Sequence, residues 1–139
     1  RLQAMAGPRV RFLGHQRGAA KEALLQHAGA VLFPSRLEGM PLALLEAMAA
    51  ARQVLVSPIG AHTEVLAGSD AGIVVADAQP ETWARALERA LDHPDPDIGL
   101  RARQHVRNRH SWDLTVDRLM TAYQAAVDRR GVVSTPARS

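Results

Sequence analysis

The strongest constraint on this chain is a rhythm in which short apolar runs rich in β-branched residues alternate with stretches of helical periodicity. The runs "VRFL" (10–13), "AVLF" (30–33), "VLV" (54–56) and "GIVV" (72–75) are short and, Arg11 apart, apolar, which suits strands better than helices. Gly14 closes the first, Pro34 and Ser35 the second, Ser57 and Pro58 the third. Such runs suit parallel strands buried on both faces. Between them, helices are expected over residues 21–27, 41–51 and 63–67. From Pro80 onward the chain reads as helical. Trp83, Leu87 and Leu91 recur every four residues, and Pro80 suits a first helical position. The stretch "HPDPD" (93–97) is a break. A helix over 100–109 should follow, with Arg101, Arg103, Arg107 and Arg109 mostly outward on a solvated face. Ser111 then reads as the N-cap of a last helix carrying Trp112, Val116, Leu119, Tyr123 and Val127 on one stripe. Trp83 and Trp112 are expected in the core. The tail, residues 131–139, lacks periodicity and is expected to be disordered. The result is β-α-β-α-β-α-β followed by three helices: an α/β layered domain with its parallel sheet flanked by helices.

Composition narrows the chemistry. The chain has 139 residues and no cysteine, which excludes disulfides, thiolate catalysis and Cys-ligated zinc. No apolar run approaches the roughly 20 residues of a membrane helix. The net charge of +3 rests on one lysine and an excess of arginines, with few aromatics and none inside an Arg cluster. Nucleic-acid binding, which favours basic stripes with interleaved aromatics, is therefore not expected. No metal-ligand spacing such as His-x3-His with a third ligand is present, so no metal or other cofactor is expected. His27, His93, His105 and His110 read as surface or capping residues, and His15 as a surface residue near a strand end.

In open α/β sheets, ligands bind beyond the carboxyl ends of the strands. "SRLEGMPLALLE" (35–46) begins at such an end. Gly39 permits a sharp turn or a close approach by a ligand. Pro41 fits a first helical turn, where a missing N–H costs nothing. The free N–H groups of Leu42 and Ala43 and the helix dipole then make a generic anion site suited to a phosphate or diphosphate. Glu38 stands just before that site. Glu46 falls one turn deeper, among Leu44, Leu45, Ala47 and Met48, where a carboxylate is costly to bury unless it is hydrogen-bonded. Hydroxyls of a bound sugar or ribose would satisfy both carboxylates. In the competing reading, Glu38 caps the helix and Glu46 reaches solvent. The spacing alone leaves both open.

The blocks "VRFLG", "VLFPSRLEGMPLALLEAMAA", "VLVSPIGAHTEVL", "AGIVV" and "HSW…Y", in this order, resemble the retaining glycosyltransferases of the GT-B fold, family 4 (group 1), typified by bacterial enzymes of glycan and glycolipid synthesis. The resemblance covers roughly residues 10–127. It implies a Rossmann-like, donor-binding C-terminal half of a GT-B fold, and transfer of a glycosyl group from a nucleoside-diphosphate sugar to an acceptor hydroxyl with retention. By the same resemblance, Glu38 is the catalytic candidate and contacts the transferred sugar. Glu46 would hold the ribose, and the backbone of Gly39, Met40, Pro41 and Leu42 would meet the diphosphate. Ser35 and His62 complete the expected donor-binding set; for His62 two readings stand, a residue facing the sugar and a plain surface histidine.

Members of this family begin the domain with a strand, a Gly-rich turn, and Arg and Lys residues that neutralise the diphosphate, and nothing of that kind precedes Val10. Residues 1–7 read as the end of a preceding helix. The expectation is therefore a partial donor domain, residues 1–130, lacking its first strand and inactive alone, whose partner is an N-terminal acceptor domain. A cytoplasmic location is implied, with a membrane-surface acceptor and a peripheral place at the inner membrane open to the parent. Two departures stand out: "ARQV" (51–54) where Gly-x-Pro-Val is usual, and Ala61 where a second glycine is common. The first should alter only a helix-to-strand turn; the second adds a methyl group near the sugar site. Two other readings are carried alongside. A nucleotide-sugar epimerase would need an acid and a base near the sugar, for which His62 and Glu64 are the candidates. A non-catalytic interaction domain would need neither glutamate.

Overall fold

The computed structural model describes residues 2–131. Three parallel strands, β1 (Val31–Phe33), β2 (Val54–Val56) and β3 (Ile73–Val74), form a sheet in the order β1-β2-β3. Val31 lies opposite Val54, and Leu55 opposite Ile73. The helices are α1 (Leu2–Met5), α2 (Gly18–His27), α3 (Leu42–Ala49), α4 (Gly60–Leu66), α5 (Pro80–Asp92), α6 (Ile98–Arg109) and α7 (Trp112–Gly131).

Side chains alternate along a strand, so β2 divides the core in two. Val54 and Val56 point into a layer shared with Leu44, Ala47 and Met48 of α3 and with Val65, Ala102 and Val106 of α4 and α6. Leu55 points the other way, to Val75, and to Trp83 and Ala90 of α5. All three β2 residues are wholly buried, each contributing about 1.5–3 kcal/mol by leaving water. Both faces of the sheet are thus covered, as the apolar strand runs require.

The passage from α3 to β2 has a specific device. The Arg52 N–H donates to the Ala47 carbonyl and the Ala51 N–H to that of Met48, a Schellman closure whose left-handed position favours glycine. Here Ala51 occupies it, at φ 57°. The usual glycine is therefore replaced at the helix-to-strand turn itself. Gly99 of α6 lies against this turn so closely that an added Cβ would stand 2.2 Å from the Ala51 carbonyl oxygen.

Several expectations need correction. Residues 10–13 are not a strand. A strand exists only by pairing, and the Val10 N–H bonds locally to the Gly7 carbonyl while Val10, Phe12 and Leu13 are half exposed. The described sheet therefore has three strands, not four. In α5 the buried stripe is Trp83 and Ala90 with Ala86 and Leu87 beside them, whereas Leu91 is exposed. Trp112 is not in the core: it is 82% exposed, and Val116, Leu119, Tyr123 and Val127 of the same helix are also exposed. The stripe is present, but no described element packs over it. The N-cap holds, since the Leu114 N–H donates to the Ser111 hydroxyl, and the arginines of α6 face outward. Among the described residues, no helix is long and apolar enough to cross a membrane. Of the expected tail, Gly131 ends α7 and residues 132–139 lie outside the described residues.

Candidate functional site at the carboxyl end of β1

The site grows from the way β1 ends. Pro34 stops the ladder, and the chain loops through residues 35–41 before α3 begins. Pro41 is the N-cap, at φ −81° and ψ 69°, and the Leu42 N–H closes back onto the Met40 carbonyl at 2.9 Å. These values define an inverse γ-turn centred on proline. That turn uses the Leu42 N–H, so it is less free than the sequence suggested. No side chain caps α3, which excludes Glu38 as its cap. Its positive end therefore stays available to an anion. Gly39 has ordinary negative φ and open space where a Cβ would project. Of its two expected uses, only close approach from outside remains. Leu37, Met40 and Leu42 surround the loop with exposed apolar side chains.

The two glutamates have different surroundings. Glu46 is not buried: its side chain is 45% exposed, and Oε1 meets the Lys21 ammonium of α2 at 2.6 Å. The apolar neighbours that suggested burial, Leu44, Ala47 and Met48, turn inward, because residue 46 falls on the other side of the helix. Glu38 is the more enclosed, at 25% side-chain exposure. The Ser35 hydroxyl donates to its Oε1. His62 of α4 lies behind it, its Nε2 3.5 Å from the same oxygen. Against both expectations, His62 neither faces a ligand nor lies on the surface: it has no exposed surface, because α4 turns it in beneath the strand ends. Its Nδ1 lies 3.1 Å from the Ser57 carbonyl at the end of β2, and the edge of Phe33 meets its ring at 68°. The Ser57 hydroxyl in turn donates to the Ser35 carbonyl. The ends of β1 and β2 and the first turn of α4 are thus joined under Glu38.

The structure therefore brings Ser35, Glu38 and His62 together, and places Gly39, Met40, Pro41 and Leu42 on the adjoining turn. Glu46 stands on the exposed side of α3 with Lys21. Sequence reasoning missed Lys21 and Ser57. Their contacts span 25 and 22 residues, so no local pattern encodes them, although Lys21 is the chain's one lysine. Glu64 is exposed and His15 lies on the surface. A cleft of about 520 Å³ adjoins the network, walled by Pro34, Pro58, Pro80 and Trp83, with Ser35 and Ser57 on its lining.

Comparison with known proteins gives a consistent result. Residues 1–93 match the family described as "Glycosyl transferases group 1". A D-inositol 3-phosphate glycosyltransferase of Salinispora arenicola is 37% identical over 132 residues, covering 91% of this chain and 28% of that protein. The enzyme of the same description from Salinispora tropica is 38% identical, covering 86% of this chain and 25% of that protein. An uncharacterized glycosyltransferase of Methanocaldococcus jannaschii is 31% identical, covering 88% and 32%. The chain thus spans a quarter to a third of the length of these relatives. Among solved structures, sucrose-phosphate synthase from Thermosynechococcus elongatus superposes with a TM-score of 0.79 at 24% identity, over 92% of this chain and 33% of that one. That likeness concerns the fold, which is the Rossmann-like α/β arrangement of the C-terminal half of a GT-B protein.

Proposed function

The chain belongs to the group 1 glycosyl transferases, and on that premise we propose that it forms the donor-binding half of an enzyme that moves a sugar from a nucleoside diphosphate to an acceptor hydroxyl with retention. The observation that carries this reading is the pairing of an uncapped α3 N-terminus with two carboxylates, Glu38 before it and Glu46 one turn beyond. The diphosphate sits at the turn formed by Gly39, Met40, Pro41 and Leu42. Glu38 receives hydroxyls of the transferred sugar. Glu46 receives those of the ribose, exchanging Lys21 for the ligand or sharing it. As the bond from the anomeric carbon to the diphosphate breaks, its electron pair goes to the phosphate oxygen. The growing negative charge is met by the dipole of α3. In the same transfer the acceptor oxygen bonds to the anomeric carbon and its proton passes to the departing diphosphate; the acceptor's site and further cations belong to parts of the protein beyond this chain. The epimerase reading is weaker, since of its two candidates His62 has no surface to offer a substrate.

The test is a nucleotide titration followed by NMR, using UDP, GDP, ADP and inorganic phosphate, with Glu46→Gln as control. The expected result is saturable shifts at residues 40–46 that prefer one base and weaken in the control. Silence toward every nucleotide, in this chain and in the longer polypeptide that contains it, would overturn the reading.

A further inference from the structure

We infer that His62 is a positioning residue for Glu38, holding one carboxylate oxygen from beneath so that the other faces the sugar; this rests on the donor-site reading above. A side chain with no exposed surface touches no ligand, so whatever His62 contributes passes through a neighbour. The neighbours on its Nδ1 side are fixed. The Ser57 carbonyl can only accept, so Nδ1 carries a hydrogen and donates to it. The Ser57 hydroxyl, 3.3 Å from the same nitrogen, is committed to the Ser35 carbonyl. That leaves Nε2, which is buried and has no hydrogen-bond partner. An unmet polar atom in a core is unfavourable. The polar group that faces it is Oε1 of Glu38, at 3.5 Å. A proton taken up from solvent and held between the two atoms, which makes the ring an imidazolium paired with the carboxylate, would satisfy both, and the gap needs to close by only a few tenths of an ångström to reach hydrogen-bond length.

The division of labour on Glu38 gives this contact its meaning. Ser35 and His62 both converge on Oε1. Oε2 has no partner among the described residues. One oxygen is thus anchored in the protein and the other is presented outward, as a carboxylate must be if it is to meet a sugar hydroxyl in a defined direction. Phe33 packs against the imidazole edge-wise, with 68° between the ring planes. Hydrogen bonds of this kind are often long without ligand and tighten when one is bound. The Nε2–Oε1 contact is therefore the part of the network that closes as the sugar loads Oε2.

The experiment separates the sugar from the nucleotide. Dissociation constants are measured on the intact protein for UDP, GDP and ADP and for UDP-glucose, GDP-mannose and ADP-glucose, in the native sequence, His62→Val and His62→Gln. Removing Nε2 in His62→Val should weaken the preferred sugar nucleotide roughly tenfold, the size of one hydrogen bond to a charged group. It should leave the matching nucleoside diphosphate unchanged. His62→Gln, whose amide can still donate to Glu38, should recover most of the loss. If the valine variant does not fold, long-range ¹H–¹⁵N spectra of the native protein answer the same question. Hydrogens on both His62 nitrogens in the sugar-nucleotide complex, lost from Nε2 in Glu38→Gln, are the expected signature. Nucleotide binding with a sugar increment indifferent to His62, or an Nε2 that stays bare in the complex, overturns the role of His62 while leaving the donor site standing. Failure of every nucleotide to bind removes the donor site itself, and this role with it.

Discussion

Ala51 sits at φ 57° in the turn that ends α3, a region that costs a residue with a Cβ about 1–2 kcal/mol. Glycine would relieve that strain but would also loosen the unfolded chain by about 0.4–1 kcal/mol. Ala51→Gly should therefore stabilise the protein by about 0.5–1 kcal/mol, read as a higher urea midpoint at unchanged slope. The same turn shows how much of a residue's setting a sequence discloses. "ARQV" marks a departure at the right place, but only the backbone shows that alanine takes up the left-handed conformation itself. His110, at the end of α6, gives a second residue-scale prediction. Burial, then the nearby charges of His105, Arg118 and Arg109, push its imidazole below the ordinary range, against a smaller opposing pull from Glu64. The folded state then binds the proton less readily than the unfolded one. Stability should be complete above about pH 6.5 and fall as pH drops from there through the lowered folded value. His110→Asn should flatten that slope in melts compared at pH 7.5 and 5.5.

At the scale of elements, helix type and burial part company. All three described strands were legible as short apolar runs, two of them closed by Pro and Ser, because such runs bury the same way wherever the sheet places them. Residues 10–13 carry a similar run, broken by Arg11, and form no strand, because pairing depends on a neighbour and not on composition alone. The α7 stripe likewise specifies a helix but not what covers it. Of the loop residues, Pro41 at the start of α3 was legible from local turn chemistry, whereas Gly39 does not make the sharp turn its residue type allows and Glu38 does not cap the helix. The exposure of Glu46 and its bond to Lys21 were not legible, since they depend on how α2 lies beside α3. Trp83→Ala should cost about 3–5 kcal/mol, because Trp83 is nearly buried and its indole N–H donates to the Asp77 carbonyl at 2.9 Å. Trp112→Ala should change stability by about 0.5 kcal/mol or less. Equal costs in urea denaturation would mean that α7 is covered after all. Gly99→Ala is a sharper case. Helix propensity favours alanine by about 1 kcal/mol, yet the new Cβ would meet the Ala51 carbonyl oxygen at 2.2 Å. A net loss of about 2 kcal/mol is expected from overpacking, and a gain would show that α3 and α6 separate easily.

For the whole molecule, protection from solvent is graded from the centre outward. β2 is wholly buried and paired on both sides. Its amides should exchange with deuterium last, and those of residues 10–16 and of α7 among the first. Uniform exchange would mean that the chain opens as one unit. The donor loop lies between these extremes, anchored below by the strand ends and open above. The strand order itself has a further consequence, for how the chain comes to be folded. Because β1, β2 and β3 neighbour one another in the order in which they occur, no strand must wait for a later one to insert beside it. Val31 finds Val54, and Leu55 finds Ile73, each by closing a loop of about twenty residues, a modest entropic toll. A ribosome releasing this chain could let the sheet grow one strand at a time. The docking of Gly99 against Ala51 comes late in that schedule, so the network under Glu38 can be assembled before the helix that locks the far end of α3 has been synthesised.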